Sequence, residues 1–267
     1  MKNDKYIFKP KQLLFTTITI VLFCASCIRD EFNPDIDATE DIVIANEIET
    51  CIKITGLICR EVEIISEKMQ MGQAIGVIIN EERNEWEYNF NTDLLSGKIV
   101  VEHSGQNIDG NGIKKVDCAK LKIHYYENIW LLLFGSFTIE NIGTSSKSKK
   151  YKVKTSEFGY MDAEKSKVPN IATNSDYVAD YNFDQENVPA KIVFSGSSYG
   201  KNQLSGNYKQ SITKNIEIEM SELQILNGKM NISIDKYGKA FPIEVEYSKQ
   251  GRTVTCKGKK QTTYYNN

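Results

Sequence analysis

The sequence predicts a mainly β fold: an antiparallel sheet, sandwich or open barrel, with one amphipathic helix ahead of it. Apolar residues recur at spacings of three and four from Asp37 to Gln70, the signature of a helix with one buried stripe. Beyond Gly72 the period changes to two, in short runs separated by turn residues. The composition, 40% hydrophobic and 25% charged, is that of a folded domain rather than a disordered chain. A length of 267 residues suffices for one large β domain or two small ones.

Residues 1–26 read as a signal peptide. Lys2, Lys5, Lys9 and Lys11 stand against Asp4, followed by the apolar and threonine run Leu13 to Phe23. As a helix that run spans about 16 Å, roughly half of a bilayer's hydrocarbon core, which is too short for a stable transmembrane anchor. Cys24-Ala25-Ser26-Cys27 follows at once, two small residues directly before a cysteine. This resembles the lipobox of bacterial lipoproteins, with Cys24 standing where leucine is most usual. The resemblance implies that Cys27 takes a diacylglycerol thioether, becomes the N-terminus and carries fatty acyl chains such as palmitate. It also implies a cell-envelope protein held to the outer membrane of a Gram-negative bacterium. Each buried methylene contributes about 0.8 kcal/mol, so two or three chains anchor a protein stably. The alternative is an ordinary secretory signal that leaves Cys27 a plain thiol. Asp30, Glu31, Asp35 and Asp37 follow the cysteine, and such an acidic cluster resembles the export tag of surface-exposed lipoproteins. Residues 27–40 form a tether that reaches about 40 Å when extended.

The helix occupies segment 41–72. Ile44, Ile48, Cys51, Thr55, Ile58, Val62, Ile65 and Met69 make its apolar stripe, with glutamates and lysines filling much of the opposite side. Thr39 or Asp41 can cap its start, Gly72 lies just past its end, and Gly56 marks a place for a bend. Cys51 and Cys59 stand about 12 Å apart along such a helix, beyond disulfide reach. Cys118 and Cys256, both in β-like sequence, are free to pair across strands or to remain buried thiols.

About a dozen strands follow, with Asn227-Gly228 and Gln250-Gly251 among the turns. They fall into a first β segment at 73–161, a polar connecting loop at 162–176 that contains Pro169, and a second β segment at 177–267. Leu95-Ser96-Gly97 is similar to Leu204-Ser205-Gly206, and Leu133 to Ile139 to Leu226 to Ile232. The two segments therefore read either as related repeats, with Gly135 and Gly228 at equivalent bends, or as two meanders that share turn glycines. The run Ile129 to Phe134 is apolar on both faces, which predicts a strand covered on both sides.

No catalytic constellation stands out, and the sequence reads as a non-enzyme without a cofactor. His103 and His124 fall on one predicted face but about 20 Å apart, too far to ligate one metal together. Asp109 is the one acid of Gln106 to Gly112, where a calcium loop needs several. A carboxylate pair for hydrolysis is not marked by any spacing. The formal charge of −2 becomes about −5 once four lysines and Asp4 leave with the leader, which disfavours nucleic acid as a partner. Lys147, Lys149 and Lys150, and again Lys257, Lys259 and Lys260, read as solvated loops. Aromatics are the remaining signal. Trp86 and Tyr88 alternate with Phe90, and Tyr125, Tyr126 and Trp130 cluster. Such residues either stack on a ligand from an exposed sheet face or pack the core. The chain thus resembles a membrane-anchored envelope lipoprotein, expected to bind a glycan, another envelope protein or a host factor. The alternative is a periplasm-facing lipid carrier or assembly protein whose curved sheet encloses an apolar cavity.

Overall fold

In the computed structural model, thirteen strands follow one another as a single antiparallel meander, most of them alternating inward apolar with outward polar side chains. The structure describes residues 39–104, 112–126, 129–145, 148–163, 168–183, 189–236, 239–256 and 258–265. Cys27, the signal peptide, the tether up to residue 38 and Asp109 lie outside them, and residues 39–40 belong to the helix instead. The helix, α1, runs Thr39–Gln70. The strands are β1 (Val77–Asn80), β2 (Glu85–Asn91), β3 (Leu95–Ser104), β4 (Ile113–Tyr126), β5 (Ile129–Thr144), β6 (Ser148–Asp162) and β7 (Ile171–Phe183). They continue as β8 (Pro189–Asn202), β9 (Gly206–Glu219), β10 (Gln224–Lys236), β11 (Lys239–Ser248), β12 (Gly251–Cys256) and β13 (Lys259–Tyr264). Neighbours in sequence are neighbours in the sheet, and β1 does not pair with β13, so the sheet is open.

The two β segments are therefore one sheet. Residues 171–176 belong to β7, which pairs with β6 from Ser148↔Asn182 to Tyr160↔Ile171, so the predicted loop at 162–176 shrinks to its first half. The repeat reading fails on topology. Its first copy spans β3 and β5 with a strand between them, whereas its second spans the adjacent pair β9 and β10. What the copies share is a bulge. Gly135 (φ +79°) and Gly228 (φ +142°) both sit at register shifts, where an added Cβ would lie 2.4 Å from the Glu157 carbonyl oxygen and 2.8 Å from the Ile216 Cα, respectively. Of the run Ile129 to Phe134 on β5, only Leu131 and Leu133 are buried in the core. Trp130, Leu132 and Phe134 are half-buried on the outer face, so the strand is not covered on both sides.

The helix is the larger surprise. From Ile42 to Glu67 no position is exposed, so its polar side is buried along with its apolar stripe. The partly accessible Asn46, Lys53 and Arg60, spaced by seven, lie on one narrow strip of its surface. Side chains from β4, β6, β8 and β12 reach it, so the sheet wraps the helix rather than resting against one face. The helix runs through Gly56 without interruption. An added Cβ would approach the Phe194 ring to 3.3 Å, so the glycine lets β8 pack close. A Schellman motif ends the helix at Gly72 (φ +67°), with Gly72 N–H donating to Met69 O (3.0 Å) and Gln73 N–H to Lys68 O (2.8 Å).

Burying that polar side requires counter-charges. Lys114 of β4 is 3% exposed and sits 3.8 Å from the Glu63 carboxylate, while its ammonium donates to Ser66 Oγ at 3.1 Å. Lys149 of β6 donates to Glu63 and also to Glu67 (2.5 Å), so it is an interior ion-pair partner and not a solvated loop lysine. Arg252 of β12 pairs with Glu49 at 2.7 Å, and Lys53 reaches the same carboxylate at 2.7 Å. Burial alone would raise the Glu63 carboxyl, but Lys114, Lys149 and Tyr151 together hold it below its ordinary range. Glu49 is likewise held low by Lys53 and Arg252 against the effect of burial. Removing one partner of a buried pair leaves a charge unpaired, so Glu63→Ala is expected to cost about 3–5 kcal/mol. In urea unfolding the double variant Glu63→Leu/Lys114→Met is expected to fall much closer to the parent than Glu63→Ala does.

Candidate functional site

With the concave side filled, the accessible face of the sheet is the outer one, and its depressions lie across several strands. The registers of β8 to β12 place Tyr199, Lys209, Ser233 and Pro242 in one transverse row. Ser197, Ser211, Asn231, Glu244 and Thr255 form the next. Two cavities follow these rows, one of about 500 Å³ and one of about 450 Å³, and they share Lys209 and Ser233. From β8 to β12 this groove spans about 19 Å at the usual strand spacing. Short hydroxyls and amides line it, each able to hydrogen-bond a polar ligand. Tyr199, 61% exposed, offers a ring at one end. Its charges offset one another: Lys209 stands against Asp235, and Glu244 is neutralised by Lys229 at 2.9 Å. A third depression, about 470 Å³ on the outer side of β2 to β5, holds Glu85, Glu102, Lys115 and Asp117 without an aromatic.

The groove is tied to the helix. The Asn202 side-chain amide, where β8 turns into β9, donates to Glu47 of α1 and to the Asn170 carbonyl (3.1 Å). Its oxygen accepts from Leu204 N–H (3.0 Å) and Ser205 N–H (2.7 Å). Burial pushes the Glu47 carboxyl up to about 7, against the lowering effect of Asn170 and Asn202.

The aromatics read from the sequence divide between the two faces. Trp86 is 1% exposed in the core, so it cannot stack on a ligand from the outer face, and Tyr88 is half-buried edge-on to Phe90 at 4.9 Å. Trp130 is half-buried and stacks on His124 at 5.0 Å. The side chains of Tyr125 and Tyr126 lie outside the described residues. His103 and His124 do not share a face, since His103 is interior and paired with Lys114 across the strands, while His124 stacks with the outer Trp130. Among the described residues no group of three or more metal-ligating side chains gathers. Cys51, Cys59 and Cys118 are buried free thiols. Burial raises the thiol pKa of all three, which suppresses the nucleophilic thiolate. Sequence reasoning missed Tyr199, Lys209, Ser211, Asn231 and Ser233. The signal was there as alternate polar positions on three consecutive strands, but only pairing makes them neighbours.

Comparison with protein-family models, with curated proteins and with solved structures finds no match, so the site is read from its own chemistry.

The raised Glu47 pKa has a definite sign. The folded chain holds a proton there between the ordinary 4.5 and about 7, so this contribution to stability is complete at low pH and is lost as pH rises through 7. Urea midpoints measured across that window are expected to fall with pH in the parent relative to Glu47→Gln, which cannot ionise.

Proposed function

We propose that this chain is a lipid-anchored protein of a Gram-negative outer membrane, and that its folded domain is a non-enzymatic module that binds a glycan on the outer face of β8 to β12. The observation that carries the reading is the groove itself. It is long, shallow and electrically balanced, lined by hydroxyls and amides, with an exposed tyrosine at one end. Sugar hydroxyls donate and accept at once, and the apolar face of a pyranose ring stacks on an aromatic. Balanced charge favours an uncharged chain over a polyanion. A protein partner would be expected to bury a larger apolar centre than this groove offers.

A lipid carrier needs an apolar chamber on the concave side of the sheet. Here that side is packed by α1, with Ile44, Leu57, Ile58 and Val62 at 0–1% exposure, so we do not adopt that reading. Display toward the exterior is part of the proposal and rests on the acidic residues after Cys27.

Two experiments test these statements separately. Cells fed labelled palmitate are expected to label the parent and not Cys27→Ser, and the variant is expected to leave the membrane fraction; an unlabelled parent contradicts the anchor. Calorimetry of the detergent-extracted protein with neutral linear hexasaccharides is expected to show binding that Tyr199→Ala weakens about tenfold, while salt has little effect. Binding indifferent to Tyr199, or absent, contradicts the groove.

A further inference from the structure

At the β1 edge of the sheet the short turn Glu81–Arg83 closes over another cavity, of about 280 Å³, separate from the groove. Trp86 and His103 line it. They are 1% and 6% exposed, and their rings stand 6.2 Å apart. Both carry an orphaned polar atom: Trp86 Nε1 and His103 Nε2 are buried with no hydrogen-bond partner among the described residues. Leaving such groups unmet costs about 1–3 kcal/mol each, so buried orphans of this kind point to a missing partner.

The site is built rather than incidental. Asn84, in the left-handed conformation (φ 53°), gives its side-chain amide to the His103 carbonyl, and its own carbonyl accepts from His103 N–H at 2.9 Å. The turn is thereby locked to the histidine. Burial and the neighbouring Lys114 push the imidazole pKa down to about 4, so the ring is neutral at physiological pH and offers one donor and one acceptor.

We infer that this cavity binds an uncharged, hydroxyl-bearing molecule of monosaccharide size. An indole N–H only donates, so the ligand must present an acceptor. A neutral imidazole nitrogen either donates or accepts, and a hydroxyl oxygen meets both atoms whichever way the imidazole proton lies. Anions are disfavoured, because Glu81 and Glu85 stand at the cavity. Ile79 and the indole ring supply an apolar wall for the carbon face of a sugar. The volume exceeds the roughly 30 Å³ of one water and lies at the lower end of ligand pockets.

The test uses the detergent-extracted full chain carrying Tyr199→Ala, so that the groove does not report, with ¹⁵N-labelled tryptophan. Trp86 and Trp130 are the only tryptophans, and Trp130→Phe assigns the two indole N–H resonances. Glucose, galactose, mannose and N-acetylglucosamine are the neutral probes, and glucuronate is the charged one. At least one neutral sugar is expected to shift the Trp86 resonance saturably. His103→Leu is expected to weaken that binding about tenfold, while His103→Gln, which keeps a neutral donor and acceptor, restores most of it. A Trp86 resonance that moves with none of the neutral sugars overturns the proposal. So does a response confined to glucuronate, or one that His103→Leu leaves unchanged.

Discussion

Glu49 and Glu63 are the constraint around which the rest of the structure is arranged. Both sit on α1, both are nearly inaccessible, and a carboxylate taken out of water costs several kcal/mol unless cations meet it. The cations come from strands far away in sequence: Lys114 and Lys149 for Glu63, Arg252 for Glu49. These pairs fix where the helix lies along the sheet and which strands must reach it. Hydrophobic burial supplies the driving force, since it is non-directional and scales with area. The ion pairs supply the register.

That arrangement separates two roles. The inner face and the helix form one core, with Phe137, Phe158 and Phe194 among its largest side chains. The outer face is left polar, and binding there does not disturb packing. Because β1 and β13 do not pair with each other, the sheet has two ends, and each is managed differently. The β13 edge carries Lys259 and Lys260, which discourages strand addition, whereas β1 is only four residues long. The cavity bearing Trp86 and His103 lies at that short end, where Ile79 is 49% exposed.

Much of the fold was legible in the sequence because periodicity survives without tertiary knowledge. Helix α1 and most of the strands follow from spacings of three to four and of two. Strand β13 escaped because Lys-Lys-Gln-Thr-Thr-Tyr has no apolar alternation, as suits an edge. In strand β9 a bulge around Thr213 shifts the alternation between Gln210 and Ile216, so its sequence does not read as one continuous strand. The burial of the helix's charged side was not legible, since Glu63 and Lys149 are 86 residues apart and Glu49 and Arg252 are 203 apart. The site divides the same way. Trp86 and His103 stood out by residue type, but only the structure turns them inward to one cavity. The groove residues are ordinary serines, asparagines and a lysine until strand pairing aligns them.

The central claim, that α1 is the enclosed core of the sheet rather than an appendage, is tested most directly by native-state hydrogen exchange. The account predicts that amides from Ile48 to Ile65 exchange only through global unfolding, with the same opening free energy as the amides of β5 to β8. Helix amides that exchange at a much lower free energy, while those strands stay protected, would contradict it.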